Sequence, residues 1–451
     1  MAENSTGKIQ VIKTAPPPVE LPILGKASFA DTVFFGRTNY AVGLDERRYV
    51  FGLKQSDRRR NLYIIGKSGT GKTKIMELLI RQDIAAGRGV LLLDPHGELI
   101  EDVLNFIPEN RITDVVLVNP GDTSCPIAFN PLADVPDTFK PQLVQGLIEV
   151  LSGQFGAGWN ANMEYITRFI LLALLDYPGA TLSGVVKILT DSNYRASVIT
   201  HIKNQPVKHF WEQEFSAWSR QEKVETEAIP PLVNKFSQFM SDPYLASIFT
   251  LPEHRISLPA LIEKKKIVLV NLSKGLLGKE NAGFFGSLFI IDLKKAGMER
   301  LKVPEGQRSD FYIYIDEFHH LVTETFEHLL FEGKKYHFAF TIAHQYLGQI
   351  IDHFRGSVFG NVGTFVVFRV GGEDAEKLEA EFSPVFKAKD MTVLGRQEFY
   401  IRMMIDGQAV DAFSAEALKV LPAGHPSHRS RIMELSRQTY CHPALPGVSA
   451  H

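Results

Sequence analysis

The chain has 451 residues, enough for about three folding units, and its 45% hydrophobic and 22% charged residues are those of a folded globular protein, which excludes wholesale disorder. Lys plus Arg (49) nearly balances Asp plus Glu (51), giving a net charge of −2. A surface that is basic everywhere is therefore excluded, and any nucleic-acid contact has to be local. Cys125 and Cys441 are the only cysteines, and neither has a second thiol nearby in sequence. Neither a zinc knuckle nor a redox pair is expected, and a reduced compartment is the default. The longest apolar runs, such as Phe169 to Leu175, fall short of the roughly 18–20 residues that span a bilayer. Met1 to Gln10 has no signal pattern, so a soluble, unprocessed chain is expected.

Residues 1–27 mix polar residues with Pro16, Pro17, Pro18 and Pro22, a composition expected to form a disordered tail. Short apolar runs then alternate with helical patterns, the signature of parallel strands joined by crossover helices. Leu62 to Ile65, Val90 to Leu93, Val115 to Val118, Ile267 to Val270, Phe311 to Ile315, Phe338 to Ile342 and Phe365 to Phe368 are the candidate strands. Their continuous hydrophobicity places them in a sheet covered on both faces. Residues 133–255 show helical periodicity and no strand alternation, and predict an inserted all-helical domain between two parts of an α/β domain, 28–132 and 256–420. Within the insert, Phe210, Trp211, Phe215 and Trp218 could stack on bases, but their helical spacing favours core packing. Residues 421–451 predict a loose or draped C-terminal tail.

The strongest motif is Gly66-Lys67-Ser68-Gly69-Thr70-Gly71-Lys72-Thr73, a phosphate loop between a strand and an apolar-periodic helix. Backbone amides of the turn would converge on phosphate, Lys72 would neutralise the β and γ phosphates, and Thr73 would offer its hydroxyl to Mg²⁺. The strand Phe311 to Ile315 ends in Asp316-Glu317. Asp316 is the candidate for the Mg²⁺ shell, and Glu317 is the candidate general base or water-orienting residue. Gln345, past the Phe338 to Ile342 strand, is a candidate γ-phosphate sensor, although a glutamine there can also simply cap the strand. Asp94-Pro95-His96-Gly97 spells Asp-x-x-Gly, but only about twenty residues separate Lys72 from Asp94, too few for a GTPase layout. Asn234-Lys235 lacks the aspartate that would read guanine. Asp94 and Pro95 read instead as a helix N-cap followed by Pro at N1, with His96 a candidate near the phosphates. The basic groups Arg58 to Arg60, Lys264 to Lys266 and Lys334-Lys335 read as solvated faces or edge guards.

Taken in order, Asn61 to Thr73, Leu92 to Leu99, Asn130-Pro131-Leu132, Phe210 to Phe215, Asn271 to Gly278, Asp316-Glu317-Phe318, Gln345, Asn361-Val362-Gly363 and Phe368-Arg369 resemble the DNA-pumping P-loop ATPases. These are the FtsK and HerA type, closest to the soluble motor domain of conjugative coupling proteins of type IV secretion, TraD/TraG-like. The resemblance implies a RecA-like core with an all-helical insert, ATP and Mg²⁺ as cofactors, and a homo-hexameric ring whose pore grips DNA. It implies an ATP-driven DNA translocase in a conjugation or type IV secretion-like system, cytoplasmic and recruited to the inner face of the membrane through a channel partner. The alternatives are a nucleotide-gated recruitment protein and a secretion or pilus-assembly ATPase that never moves DNA. The family's trans-acting arginine stands eleven positions before the sensor glutamine, where this chain has Lys334. Lysine lacks the planar two-pronged contact of a guanidinium. Arg369 is the second candidate for that role, with a strand-end ion pair as its other reading. The membrane-spanning helices of membrane-bound coupling proteins have no counterpart here.

Overall fold

The computed structural model describes residues 12–40, 48–122, 125–350 and 352–442. In chain order the strands are β1 (Thr32–Thr38), β2 (Val50–Lys54), β3 (Leu62–Ile65), β4 (Gly89–Asp94), β5 (Val115–Val118), β6 (Ile267–Asn271), β7 (Phe311–Ile315), β8 (Phe338–His344) and β9 (Thr364–Val367). β10 (Glu398–Arg402), the small hairpin β11 (Met404–Ile405) and β12 (Gln408–Ala409), and β13 (Phe413–Ala417) follow. Eleven of them form one sheet in the order β2-β1-β13-β10-β9-β3-β8-β7-β4-β6-β5. From β9 to β5 every pairing is parallel. The strands expected from the sequence are these, and the fold is a mostly parallel α/β sheet of the RecA-like P-loop NTPase kind. An antiparallel wing, β10, β13, β1 and β2, extends the sheet beyond β9 and was not expected.

Side chains alternate between two cores, as a sheet buried on both faces requires. Leu62, Ile64, Leu92 and Tyr314 face the layer that holds the helices Lys72–Ala85 and Glu98–Leu104. Tyr63, Ile65, Leu93 and Ile315 face the layer continuous with the helical insert. Between β5 and β6 the described residues form only helices, from Lys140–Phe155 to Leu258–Glu263. Asn130, buried at the neck of the insert, ties the outgoing chain to the Ala180 and Pro252 carbonyls. The aromatic residues Phe210, Trp211 and Phe215 are buried, with Phe210 stacked 4.2 Å from Phe169. They are core, and the base-stacking reading falls.

Three expectations are corrected: the N-terminal tail, the loose form of the C-terminal segment, and the unpaired cysteines. The proline-rich start is a tail only in expectation: from Ile12 onward it lies on the antiparallel wing, where Ala15 N donates to Ser414 Oγ and Gly52 N donates to Pro22 O. Prolines already hold extended backbone, so fixing this strap costs little entropy; residues 1–11 lie outside the described residues. At the other end, the helix Arg429–Tyr440 drapes over β5, with Ser436 Oγ accepting from Leu117 N at 2.8 Å. It covers an edge strand whose backbone would otherwise be unpaired; residues 443–451 lie outside the described residues. This return path brings Cys441 to Cys125, and the two form a disulfide with Cα atoms 5.3 Å apart. The cysteines are partners despite 316 positions of separation, because the C-terminal helix runs back along the β5 edge.

Candidate active site

The parallel register sets the site. Ile65 lies level with His344 and Val367, and Ile315 with Leu93 and Ile342. The phosphate loop after β3, Asp94 at the end of β4, Asp316-Glu317 after β7, Gln345 after β8 and Arg369 after β9 therefore share one edge of the sheet. This carboxyl edge is where open α/β sheets bind ligands.

Gly66 to Gly71 turn from β3 into the helix Lys72–Ala85, with Gly71 as N-cap at φ 128°. A Cβ on Gly66 would lie 2.5 Å from Phe368 Cβ, so only glycine admits this close approach. Lys67 N donates to Arg369 O and Gln397 N to Thr70 O, both at 2.9 Å, while Thr70 Oγ1 donates to Lys67 O. Lys67, Ser68 and Gly69 are exposed at the rim. The buried Lys72 ammonium donates to the Gly66 and Lys67 carbonyls at 2.6 and 3.2 Å. Burial lowers its pKa, and Asp316 and Glu317 oppose that.

Asp316 is buried with Oδ2 3.4 Å from Thr73 Oγ1. Burial, then the neighbouring Glu317 and Asp94 charges, push its carboxyl up to about 7. A hydroxyl and a crowded carboxylate facing each other beside a phosphate loop are a donor set for a hard cation. Glu317 takes the left-handed conformation, φ 47° and ψ 46°, a strained state for a non-glycine residue and common at functional sites. Its Oε1 accepts from Gln345 Nε2 at 2.9 Å. Its buried Oε2 accepts no hydrogen bond.

Lys334 lies elsewhere. It is exposed at the end of the helix Glu324–Tyr336, which leads into the start of β8. It is thus separated from Gln345 by the length of that strand, roughly 20 Å at ~3.3 Å per residue. Arg369 is exposed and adjoins its own chain's phosphate loop through its carbonyl. The Asp94 carboxylate caps the amides of His96 and Ile100. The helix it serves, however, starts at Glu98 with Gly97 as N-cap at φ 83°, three residues later than Pro95 at N1 implied. His96 is exposed on the same edge. Of the basic groups, Arg58 pairs with Asp83 in the core, Arg59 with Asp310 and Lys266 with Asp114, so these charges brace the fold.

Several neighbours of the site were not among the predicted site residues. Lys274, first residue of the short helix Lys274–Leu277 after β6, donates to His320 Nε2 at 2.5 Å. His319 Nδ1 lies 3.3 Å from Glu317 Oε2. His344, buried beneath Gln345, meets the Tyr63 hydroxyl. Burial, the largest cause for each, pulls His319 to about 4 and His320 and His344 to about 3. The doubled histidine after Asp316-Glu317-Phe318 was the one visible hint.

Fold and site together define a P-loop NTPase with a RecA-like core. Residues 55–284 match the family described as Helicase HerA, central domain, and the chain belongs to that family. Among solved structures it is similar to the bacterial conjugative coupling protein TrwBdeltaN70, at 12% identity and a TM-score of 0.60, covering 84% of this chain and 89% of that one. The plasmid coupling protein TrwB in complex with ADP and Mg2+ superposes at 13% identity and TM-score 0.61, covering 84% and 90%. VirB4 of Thermoanaerobacter pseudethanolicus does so at 12% and 0.55, covering 82% and 94%. At these identities the likeness establishes the fold. No curated protein sequence matches the chain. Among the described residues, no helix is long and apolar enough to cross a membrane.

Proposed function

We propose that the protein is a Mg²⁺-dependent ATPase that drives DNA translocation in a conjugation or type IV secretion-like system, working as a homo-hexamer. The carrying observation is Glu317, buried, held at one oxygen by Gln345 and without a hydrogen bond at the other, beside the phosphate loop. Membership of the HerA family and likeness to coupling-protein and VirB4 structures support the assignment to DNA pumping and secretion.

Gly66 to Thr73 would bind the phosphates, with the Lys72 ammonium leaving the loop carbonyls for phosphate oxygens. Thr73 and Asp316 would hold Mg²⁺, which supplies positive charge to the β and γ phosphate oxygens. Glu317 Oε2 takes a proton from water as the water oxygen bonds to the terminal phosphorus, and the β–γ bridging oxygen departs with ADP. Gln345, bonded to the same carboxylate, changes partner when the γ-phosphate leaves. Lys334, at the far end of β8 from its own nucleotide, fits a role toward a neighbouring subunit, and Arg369 one toward its own. A lysine there gives weaker charge stabilisation than a guanidinium, which favours a slower, partner-gated enzyme. On that ground a recruitment or secretion ATPase that does not move DNA is the second reading.

The test is steady-state ATPase activity without DNA, with single-stranded DNA and with duplex DNA, at two salt concentrations, because phosphate contacts weaken with salt. Stimulation that fades at high salt and is absent in Glu317→Gln supports a motor and identifies its track. A flat response moves the assignment to the second reading. Wild-type turnover by Glu317→Gln refutes the base.

A further inference from the structure

Past Gln345 the chain makes a short turn, Leu347–Gln349, and the Gln349 side chain folds back over it. Gln349 Oε1 lies 3.1 Å from both Gln345 N and Tyr346 N. Two backbone amides can only donate, so they fix the oxygen of this side chain and leave its amide nitrogen pointing away. That nitrogen is 3.3 Å from His319 Nε2. An amide nitrogen also only donates, so His319 Nε2 must carry a lone pair. The ring is then neutral and its hydrogen sits on Nδ1, the atom 3.3 Å from Glu317 Oε2. Burial and the nearby Lys274, Lys279 and His96 hold the ring far below protonation at neutral pH. The Nδ1 and Oε2 atoms are near each other but not aligned for a hydrogen bond, and catalytic contacts of this kind tighten when substrate is bound.

Both oxygens of Glu317 thus lead back to one turn: Oε1 directly to Gln345, Oε2 through His319 to Gln349, which grips the Gln345 backbone. We propose that Gln349 and His319 are positioning residues forming a bridge from the turn after β8 to the Glu317 carboxylate, with His319 as the Nδ1–H tautomer. Movement of Gln345 is transmitted through this bridge, so the carboxylate is aligned only while the turn is in place. The inference rests on Glu317 being the base.

The experiment uses the full chain, with histidine ¹⁵N labelling and kinetics side by side. The His319 signal, assigned by its loss in His319→Asn, is expected to show a protonated Nδ1 and an unprotonated Nε2 at pH 7. Gln349→Glu keeps an oxygen for the two backbone amides and turns the other atom from donor into acceptor. It should move the His319 proton to Nε2 or charge the ring, and lower kcat about tenfold with KM unchanged. His319→Leu should lower kcat by a similar factor, whereas His319→Asn, whose side-chain nitrogen falls near the Nδ1 position, should keep kcat within about threefold of wild type. An Nε2–H tautomer in the wild-type protein overturns the bridge, whatever the variants do. So does wild-type kcat in both Gln349→Glu and His319→Leu while Glu317→Gln is inactive. If Glu317→Gln turns over normally, it is the assignment of the base that fails.

Discussion

Asp316→Asn separates the cost of burying a carboxylate from its proposed use in holding Mg²⁺. Burial and the charges of Glu317 and Asp94 raise this carboxyl from 3.8 to about 7, so its ionised form is disfavoured by about 4 kcal/mol in nucleotide- and metal-free protein. The folded state then holds a proton that the unfolded chain has released between pH 4 and 7. The stability contribution is therefore largest below the unfolded value, falls as pH rises through that window, and is flat above 7. Asparagine has nearly the same shape and no proton to lose. The variant should match wild type near pH 4 and exceed it progressively, with about 2 kcal/mol of the gain accruing between pH 5.5 and 7. Trp159, Trp211 and Trp218 all lie between β5 and β6, so their fluorescence reports on the helical segment rather than directly on the strands that carry Asp316. The assay is hydrogen exchange of β7 and β4 peptides during urea melts at pH 5.5, 7 and 8.5 in EDTA. With Mg²⁺ and ATP the order should invert, because only wild type gains from the cation. A stability difference between the two proteins that does not change with pH would refute the account of a crowded carboxylate.

Lys72→Ala removes a buried ammonium whose hydrogen bonds go to loop carbonyls. It should weaken ATP binding at least about thirtyfold, the worth of one hydrogen bond to a charged group at ~2 kcal/mol, as calorimetry would show. Gly66→Ala places a methyl 2.5 Å from Phe368 Cβ, against backbone-anchored atoms that cannot rotate away. It should cost about 1–3 kcal/mol in melts and weaken nucleotide binding. Cys125→Ser frees the end of the helix Arg429–Tyr440. Amide exchange in that helix should rise and unfolding stability fall by about 2–4 kcal/mol, while exchange in the helix Lys72–Ala85 stays as in wild type.

What the sequence revealed followed the range of each signal. The parallel strands announced themselves because a strand buried on both faces has to be apolar at every position, so Leu62 to Ile65 and Phe311 to Ile315 needed no partner to be read. The wing strands gave no such signal. β1 and β13 carry Arg37 and Glu416, and their pairing joins residues some 380 positions apart, so nothing local marks them as neighbours. The same division holds in the site. The phosphate loop and Asp316-Glu317 are contiguous text, and the chemistry dictates their spacing. The arrangement of Glu317, His319, Gln345 and Gln349 depends on a left-handed backbone at Glu317 and a tight turn at Leu347–Gln349, neither of which residue type alone specifies. The cysteine pair was misread for the same reason, since a disulfide between Cys125 and Cys441 depends on where the last helix docks.

The braces of the phosphate loop tie the antiparallel wing to the parallel part of the sheet. The loop's first glycine packs on Phe368, its Lys67 amide is held by the Arg369 carbonyl, and its Thr70 carbonyl by the Gln397 amide. Gln397 sits at φ 67° immediately before β10, and its own carbonyl accepts from Ala417 N at the end of β13. The chain from Gly66 to β13 is thus a run of backbone hydrogen bonds and close contacts with no flexible side chain in it. A loop held through backbone can shift only if its supports shift with it. The antiparallel strands, which add nothing to the phosphate-binding chemistry, therefore fix the shape of the loop that performs it.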